Sequence, residues 1–197
     1  MEKRGQATIF IILGIVLVVA VILFFVLTKT EIIPPLLTPS DAASQIRDVD
    51  EHVTDCLQEV GIEYVNILGA QGGYLNPGPD TFRMYNDSQV SYLCWNQEGL
   101  PTCTNRLLTV SRMEEDLTDA ISQGLQTCIN VYDVSQDIQA EEDWELEVDI
   151  AQENVVLTLF YPVEVAKGSD IATEDEFVQT LDVPLGNLYD VSQDIVN

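Results

Sequence analysis

The feature that most constrains this chain is an apolar run close to its N-terminus. Ala7 to Leu27 is a stretch of 21 residues in which Thr8 is the only polar side chain. As a helix rising about 1.5 Å per residue, the run would be ~31 Å long, which matches a bilayer hydrocarbon core of about 30 Å. A secretory signal has a shorter apolar run followed by a small-x-small cleavage site, and neither is present here. The sequence therefore predicts a transmembrane helix over residues 7–28.

The charges on either side of this run predict its orientation. Lys3 and Arg4 precede it and an acidic region follows it, so the N-terminus is expected in the cytoplasm and the rest of the chain outside. We expect a single-pass protein of the cell membrane, with the lipid bilayer as a partner through residues 7–28. The predicted parts are a cytoplasmic basic leader at 1–6, the transmembrane helix at 7–28, a proline-rich linker at 29–39 and an extracellular acidic domain at 40–197.

The charge balance limits the partners of the outer domain. From Thr30 onward, five basic residues stand against 32 acidic ones. Such a surface repels phosphate backbones, so we expect no nucleic-acid partner. Two explanations remain open. One is that the protein is exported by a halophile, because molar salt screens charges over about 3 Å. The other is that the acidic surface only keeps the domain soluble.

The junction before the apolar run carries a resemblance to a known family. Residues 3–6 (KRGQ) lead directly into apolar sequence, and Thr8 follows two positions after Gln6. This junction resembles the class III signal peptides of archaeal type IV pilin-like proteins. The resemblance implies that a prepilin-type peptidase cuts between Gly5 and Gln6, and that the apolar segment then packs with other pilin-like subunits or stays in the bilayer. The family pattern has an acid at the fifth position after the cut, where this chain has Phe10.

Two amphipathic helices are predicted in the outer domain. The first is capped by Ser40 and ends near Gly69, where a segment rich in glycine and proline follows. The second begins at Ser111, and Glu114 completes a capping box. Apolar residues recur every three or four positions in both helices. They are Ile46, Val49, Val53, Cys56, Val60 and Ile67 in the first, and Met113, Leu117, Ile121, Leu125 and Cys128 in the second.

The C-terminal third of the chain predicts strands. Residues 144–150 alternate between apolar and acidic side chains, as in a strand with one wet face. Residues 155–161 are expected to form the second strand of a hairpin with it, and a bulge would let residues 163–165 continue that second strand. A third strand is expected at 177–183, and Pro184 opens a terminal helix. The predicted fold class is α+β: the transmembrane helix is followed in the chain by a domain of two to three helices packed on a small antiparallel sheet.

Four cysteines in an exported domain indicate two disulfides, for which three pairings exist. We favour Cys56–Cys128, because both cysteines fall on the apolar stripe of a predicted helix. Cys94 and Cys103 would then close a local loop. A metal site is the weaker interpretation, because no two cysteines form a CxxC pair.

Catalytic signatures are weak throughout the sequence. His52 is the only histidine and is expected on the surface of the first helix, and no Gly-x-Ser-x-Gly context supplies a nucleophile. Acidic clusters at 114–116, 141–143 and 174–176 offer carboxylate pairs, but their abundance weakens each of them as a glycosidase site. We therefore predict that the protein is not an enzyme and has no catalytic residues, cofactor or metal.

Two candidate surface sites remain. Asn86 begins an Asn-Asp-Ser sequon in a polar stretch and is a candidate glycosylation site. Tyr74, Tyr92 and Trp95 form a candidate aromatic patch for binding a ligand.

A nine-residue segment occurs twice in the chain. Residues 130–138 (NVYDVSQDI) and 187–195 (NLYDVSQDI) are identical at eight positions, while their flanks differ. Both copies place apolar residues at i, i+3 and i+7. We favour the interpretation that both end helices with the same buried face. The alternative is that they make equivalent contacts with a ligand or partner.

These observations favour a pilin-like structural or assembly protein of the cell surface without catalytic activity. The first alternative is an anchored adhesion or ligand-binding module. A hydrolase that uses acid pairs is a more distant third.

Overall fold

A computed structural model describes residues 17–18, 41–96, 98–99 and 102–196. The chain divides into two units at residues 39 and 40. In the first unit the described residues are Leu17 and Val18, which are helical. The second unit contains all the elements discussed below.

The described part of the second unit contains three α-helices, a short 3₁₀ helix and eight strands. The helices are α1 (Asp41–Ala70), α2 (Val110–Leu125) and α3 (Leu185–Val196), and the 3₁₀ helix is Val131–Asp133. The strands are β1 (Phe82–Tyr85), β2 (Ser88–Ser91), β3 (Cys94–Trp95), β4 (Thr104–Asn105), β5 (Ile138–Ala140), β6 (Glu145–Ile150), β7 (Val155–Lys167) and β8 (Asp170–Leu181).

The main sheet is built around the long strand β7. Along one edge, β7 pairs with β8 over its whole length, from Val155 opposite Leu181 to Lys167 opposite Asp170. Along the other edge it pairs first with β6 and then with β5. All these pairings are antiparallel, and a bulge interrupts the register between Phe160 and Val163.

The hydrophobic core lies between one face of this sheet and the helices. On β6 the residues Leu146, Val148 and Ile150 are buried, while the acidic residues between them are exposed. This alternation is what a two-residue side-chain period produces in a half-buried strand. Helix α1 contributes Val49, Val53, Leu57, Val65 and Leu68 to the same core, and α2 contributes Met113, Leu117, Ile121 and Leu125.

Helix α2 begins one residue earlier than its sequence predicts, and with a different cap. The side chain of Thr109 accepts a hydrogen bond from the backbone N–H of Arg112. The predicted capping box of Ser111 and Glu114 is therefore wrong. Glu114 Oε1 instead accepts a hydrogen bond of 3.0 Å from the backbone N–H of Ile150. This contact ties the start of α2 to the end of β6.

The predicted fold needs correction. The α+β class is confirmed, but the single small sheet is wrong: the described residues form the four-stranded sheet and two further antiparallel pairs, β1–β2 and β3–β4. No helix in the described ranges has both the length and the hydrophobicity needed to cross a bilayer. The transmembrane helix predicted at 7–28 falls outside the described residues except for Leu17 and Val18, and the Ser40 cap also lies outside them.

The predicted third strand is also too short. Strand β8 begins at Asp170 rather than near residue 177. Its first half is mostly exposed and rich in acidic residues, so it lacks the apolar alternation by which strands are recognised.

The two copies of the repeat adopt different structures. In the first copy, Val131 belongs to the 3₁₀ helix and Ile138 to β5, and both are buried. The second copy lies inside α3, where Leu188, Val191 and Ile195 are 53%, 57% and 79% exposed. The interpretation that both copies end helices with the same buried face is therefore wrong.

Helix α3 begins in close contact with the β6–β7 turn. The backbone N–H of Gly186 donates to the carbonyl of Ala151, and that of Asn187 donates to the carbonyl of Gln152. A Cβ at Gly186 would lie 2.5 Å from the Ala151 carbonyl oxygen and 2.8 Å from the Gln152 Cα. Because both atoms belong to the backbone, they cannot move aside as the end of a side chain could.

We predict that Gly186→Ala lowers the free energy of unfolding by about 1–3 kcal/mol, as overpacking does in protein interiors. The measurement is chemical denaturation of the wild type and the variant. Gly78→Ala is the matched control, because its Cβ would approach no atom closer than 3.7 Å. Equal stability of the two alanine variants would contradict the close packing of α3 against the turn.

Candidate functional site

The described residues contain two cysteine pairs at disulfide distance, so the expectation of disulfides is confirmed. Cys56 in α1 pairs with Cys128, with their Cα atoms 6.0 Å apart and a sequence separation of 72 positions. Cys94 in β3 pairs with Cys103, with a Cα–Cα distance of 5.5 Å. Cys128 was predicted on the apolar stripe of the second helix, and this position is wrong. Helix α2 ends at Leu125, and Cys128 follows it in a turn.

The small strands β1 to β4 follow α1 and precede α2 in the chain, and they form two antiparallel pairs apart from the main sheet. We call residues 74–106 the hairpin segment. Its two-stranded pairs bury few side chains, and backbone hydrogen bonds hold it in place. The N–H of Ser91 donates to the Gln71 carbonyl at the end of α1, and the N–H of Tyr92 donates to the Thr81 carbonyl. The hydroxyl of Tyr74 donates to the carbonyl of Arg106.

An open cleft lies on the hairpin segment, and we call it the aromatic cleft. Its volume is about 440 Å³. Two of its lining residues, Tyr92 and Trp95, have ring centroids 5.8 Å apart, with their planes inclined at 59°. The described residues that line it are Asp80, Phe82, Tyr92, Cys94, Trp95 and Asn96.

The structure brings together two of the three residues of the predicted aromatic patch. Tyr92 and Trp95 are in contact, but Tyr74 faces a different cleft, which it shares with Arg112, Asp116 and other residues. Sequence reasoning missed Asp80 and Phe82. Recognising Phe82 would have required the register of the β1–β2 hairpin, which places Phe82 opposite Ser91, next to Tyr92.

The hairpin turn carries the predicted glycosylation site. Asn86 and Asp87 are exposed and join β1 to β2, with φ angles of 46° and 64°. Positive φ at both central residues is typical of the type I′ turn, in which asparagine is favoured. Asn86 is therefore accessible at the tip of the hairpin. The predicted processing residues Gly5 and Gln6 lie outside the described residues.

The acidic clusters are used in several different ways. Glu114 accepts a hydrogen bond from the backbone of β6, while Glu115 and Asp116 each lie 2.7 Å from the Arg112 guanidinium. Glu142 and Asp143 line an open cleft together with Glu145, and all three are exposed. Among the described residues, no group of histidines, cysteines or carboxylates has the geometry to hold a metal ion.

The other candidate chemical groups have structural surroundings. His52 is partly buried in α1 rather than on the surface, and its Nε2 atom has no hydrogen-bond partner. Burial raises the pKa of the Tyr161 phenol above its ordinary value of 10.0, and the neighbouring Tyr132 adds to the effect. The Tyr161 side chain belongs to the core between the sheet and the helices.

A small apolar cavity lies where α3 meets the end of α1. Its volume is about 60 Å³, and Met113, Leu185, Leu188 and Gly73 are among its lining residues. A cavity of this size takes one or two small groups and no drug-sized ligand.

Comparison with protein-family models, curated proteins and solved structures finds no match to this chain.

The two disulfides should differ in their contribution to stability. In the chain-entropy account, a cross-link stabilises more when it closes a longer loop. We predict that Cys56→Ala with Cys128→Ala lowers the free energy of unfolding by about 4 kcal/mol, and that Cys94→Ala with Cys103→Ala lowers it by about 2.5 kcal/mol. Denaturant titration of both double variants measures the difference, and the reverse order would contradict the assignment.

Proposed function

We propose that the chain is a pilin-like structural or assembly protein of the cell surface without catalytic activity. The observation that carries the proposal is the junction at residues 3–8, where a basic KRGQ leader meets apolar sequence and Thr8 occupies the family's Ser/Thr position. The peptidase that processes such leaders and other pilin-like subunits are the proposed partners.

The domain supports this proposal through its cross-links. An exported subunit meets an oxidising environment and cannot rely on intracellular chaperones, and disulfides are the common means of stabilising domains there. Cys56–Cys128 joins the longest described helix to the segment after α2.

The exposure of the acidic cluster around residue 142 favours a non-catalytic role. Glu142, Asp143 and Glu145 share an open cleft in which water has free access. In a glycosidase pair the two carboxyls face each other across the substrate and lie in different environments, whereas these three side chains are all exposed. We therefore rank the hydrolase last among the three functions.

The proposal predicts a mature chain that begins at Gln6. We expect intact-mass and N-terminal peptide analysis of protein from an archaeal host that has a prepilin-type peptidase to show loss of residues 1–5. Gly5→Val should block this cut, because a branched side chain replaces the glycine before the scissile bond. Thr8→Ser is the matched control and should be processed normally, since it keeps the Ser/Thr position of the family pattern.

Two results would count against this function. One is a wild-type chain that still begins at residue 1 or 2 in that host, and the other is a chain that has lost the apolar run as well. Cleavage that persists in a host lacking the peptidase would also count against it, because another protease would then be removing the leader.

A second candidate function is a ligand-binding module at the cell surface. The observation favouring it is the aromatic cleft, where Tyr92 is 39% exposed and in contact with Trp95. Aromatic side chains that remain partly in water can supply a large apolar contact area to a ligand.

A further inference from the structure

The aromatic cleft contains two rings that can act on one ligand together. Tyr92 and Trp95 are tilted by 59°, so they form a corner rather than a flat platform. Since their centroids are 5.8 Å apart, one compact group can lie within about 6 Å of both, which is the range of a cation–π interaction. Phe82 adds a third aromatic side chain to the lining.

The charges at the cleft favour a cation. Asp80 is exposed, and apart from Tyr92 it is the one ionisable side chain among the described residues that line the cleft. Arg83 follows Phe82 in β1, and successive side chains of a strand point to opposite faces, so Arg83 belongs to the other face of the hairpin. The chain as a whole carries a formal charge of −25, which raises the local concentration of cations and repels anions.

The cleft is held in shape before any ligand arrives. Trp95 pairs with Thr104 across β3 and β4, and the adjacent Cys94 is joined to Cys103. The backbone of Tyr92 is fixed by its hydrogen bond of 2.9 Å to the Thr81 carbonyl. A site whose side chains are already positioned loses less entropy on binding.

From these observations we infer that the aromatic cleft binds an organic cation of the alkylammonium class. A trimethylammonium group would lie against the faces of Tyr92 and Trp95, with the Asp80 carboxylate facing its positive charge. This inference specifies the ligand of the second candidate function and does not depend on the pilin-like proposal. A neutral saccharide is the competing ligand, but saccharides stack on a flat aromatic surface, and the two rings do not provide one.

The test uses the full chain carrying Trp144→Phe, which leaves Trp95 as the only tryptophan, since the chain has two. Its fluorescence is titrated with choline, with the uncharged isostere 3,3-dimethylbutan-1-ol and with cellobiose. We expect a saturable change with choline, and binding of the isostere that is weaker by about fivefold or more, as the loss of a cation–π contact requires.

Variants then locate the binding. Tyr92→Leu and Asp80→Asn should each weaken choline binding by about threefold or more. Tyr132→Leu is the matched control, because Tyr132 is 51% exposed, against 39% for Tyr92, and does not line the cleft. It should leave the affinity unchanged, and circular dichroism of each variant confirms that it is folded.

Three results would overturn the inference. They are equal or tighter binding of the uncharged isostere, tighter binding of cellobiose, and no saturable change up to about 100 mM choline. If processing at Gly5 is normal and any of these results is obtained, the pilin-like proposal still holds, and only the inference of an alkylammonium ligand is wrong.

Discussion

The packing of α1 against the β7–β8 ribbon determines where the other elements lie. The helix and the strands are close together at Gly61, because a Cβ there would lie 2.5 Å from the Leu157 side chain and 3.1 Å from that of Leu181. Burial of apolar side chains on both elements provides the main stabilisation. At Cys56 the same helix is linked to Cys128, which fixes the end of α2 beside it. Helix α2 then covers β6, and the sheet has one buried and one wet face.

The hairpin segment depends on this scaffold without belonging to its core. It leaves the end of α1 and returns at the start of α2, so both of its ends are fixed by the packing of those helices. Between them, Cys94–Cys103 and a few backbone hydrogen bonds take the place of a hydrophobic core. This arrangement explains why its aromatic side chains remain in contact with solvent. Binding residues are often carried on loops that a rigid scaffold positions, and the aromatic cleft has that relationship to the helices and sheet.

The sequence predicted elements well where their periodicity was strong, as in α1, α2 and β6. It failed where tertiary contacts decide the outcome. The first half of β8 is polar, and it forms a strand because β7 extends beside it as far as Lys167. The repeat is the clearest case, since nearly the same nine residues form a 3₁₀ helix and strand in one place and part of α3 in the other. The sequence predicted two residues of the aromatic cleft, Tyr92 and Trp95, because they are close together in the chain. It did not predict Asp80 and Phe82, because the pairing of β1 with β2 is what brings them to the cleft.

The two disulfides have different roles, since Cys56–Cys128 joins α1 to the segment after α2 and Cys94–Cys103 holds the hairpin segment. Peptide mapping of the protein without reduction, with free thiols blocked beforehand, distinguishes this pairing from the others. We expect one cross-linked peptide containing Cys56 and Cys128 and another containing Cys94 and Cys103. A bridge from Cys56 to Cys94 or Cys103 would contradict it, because the helices and the hairpin segment could not then keep the positions described.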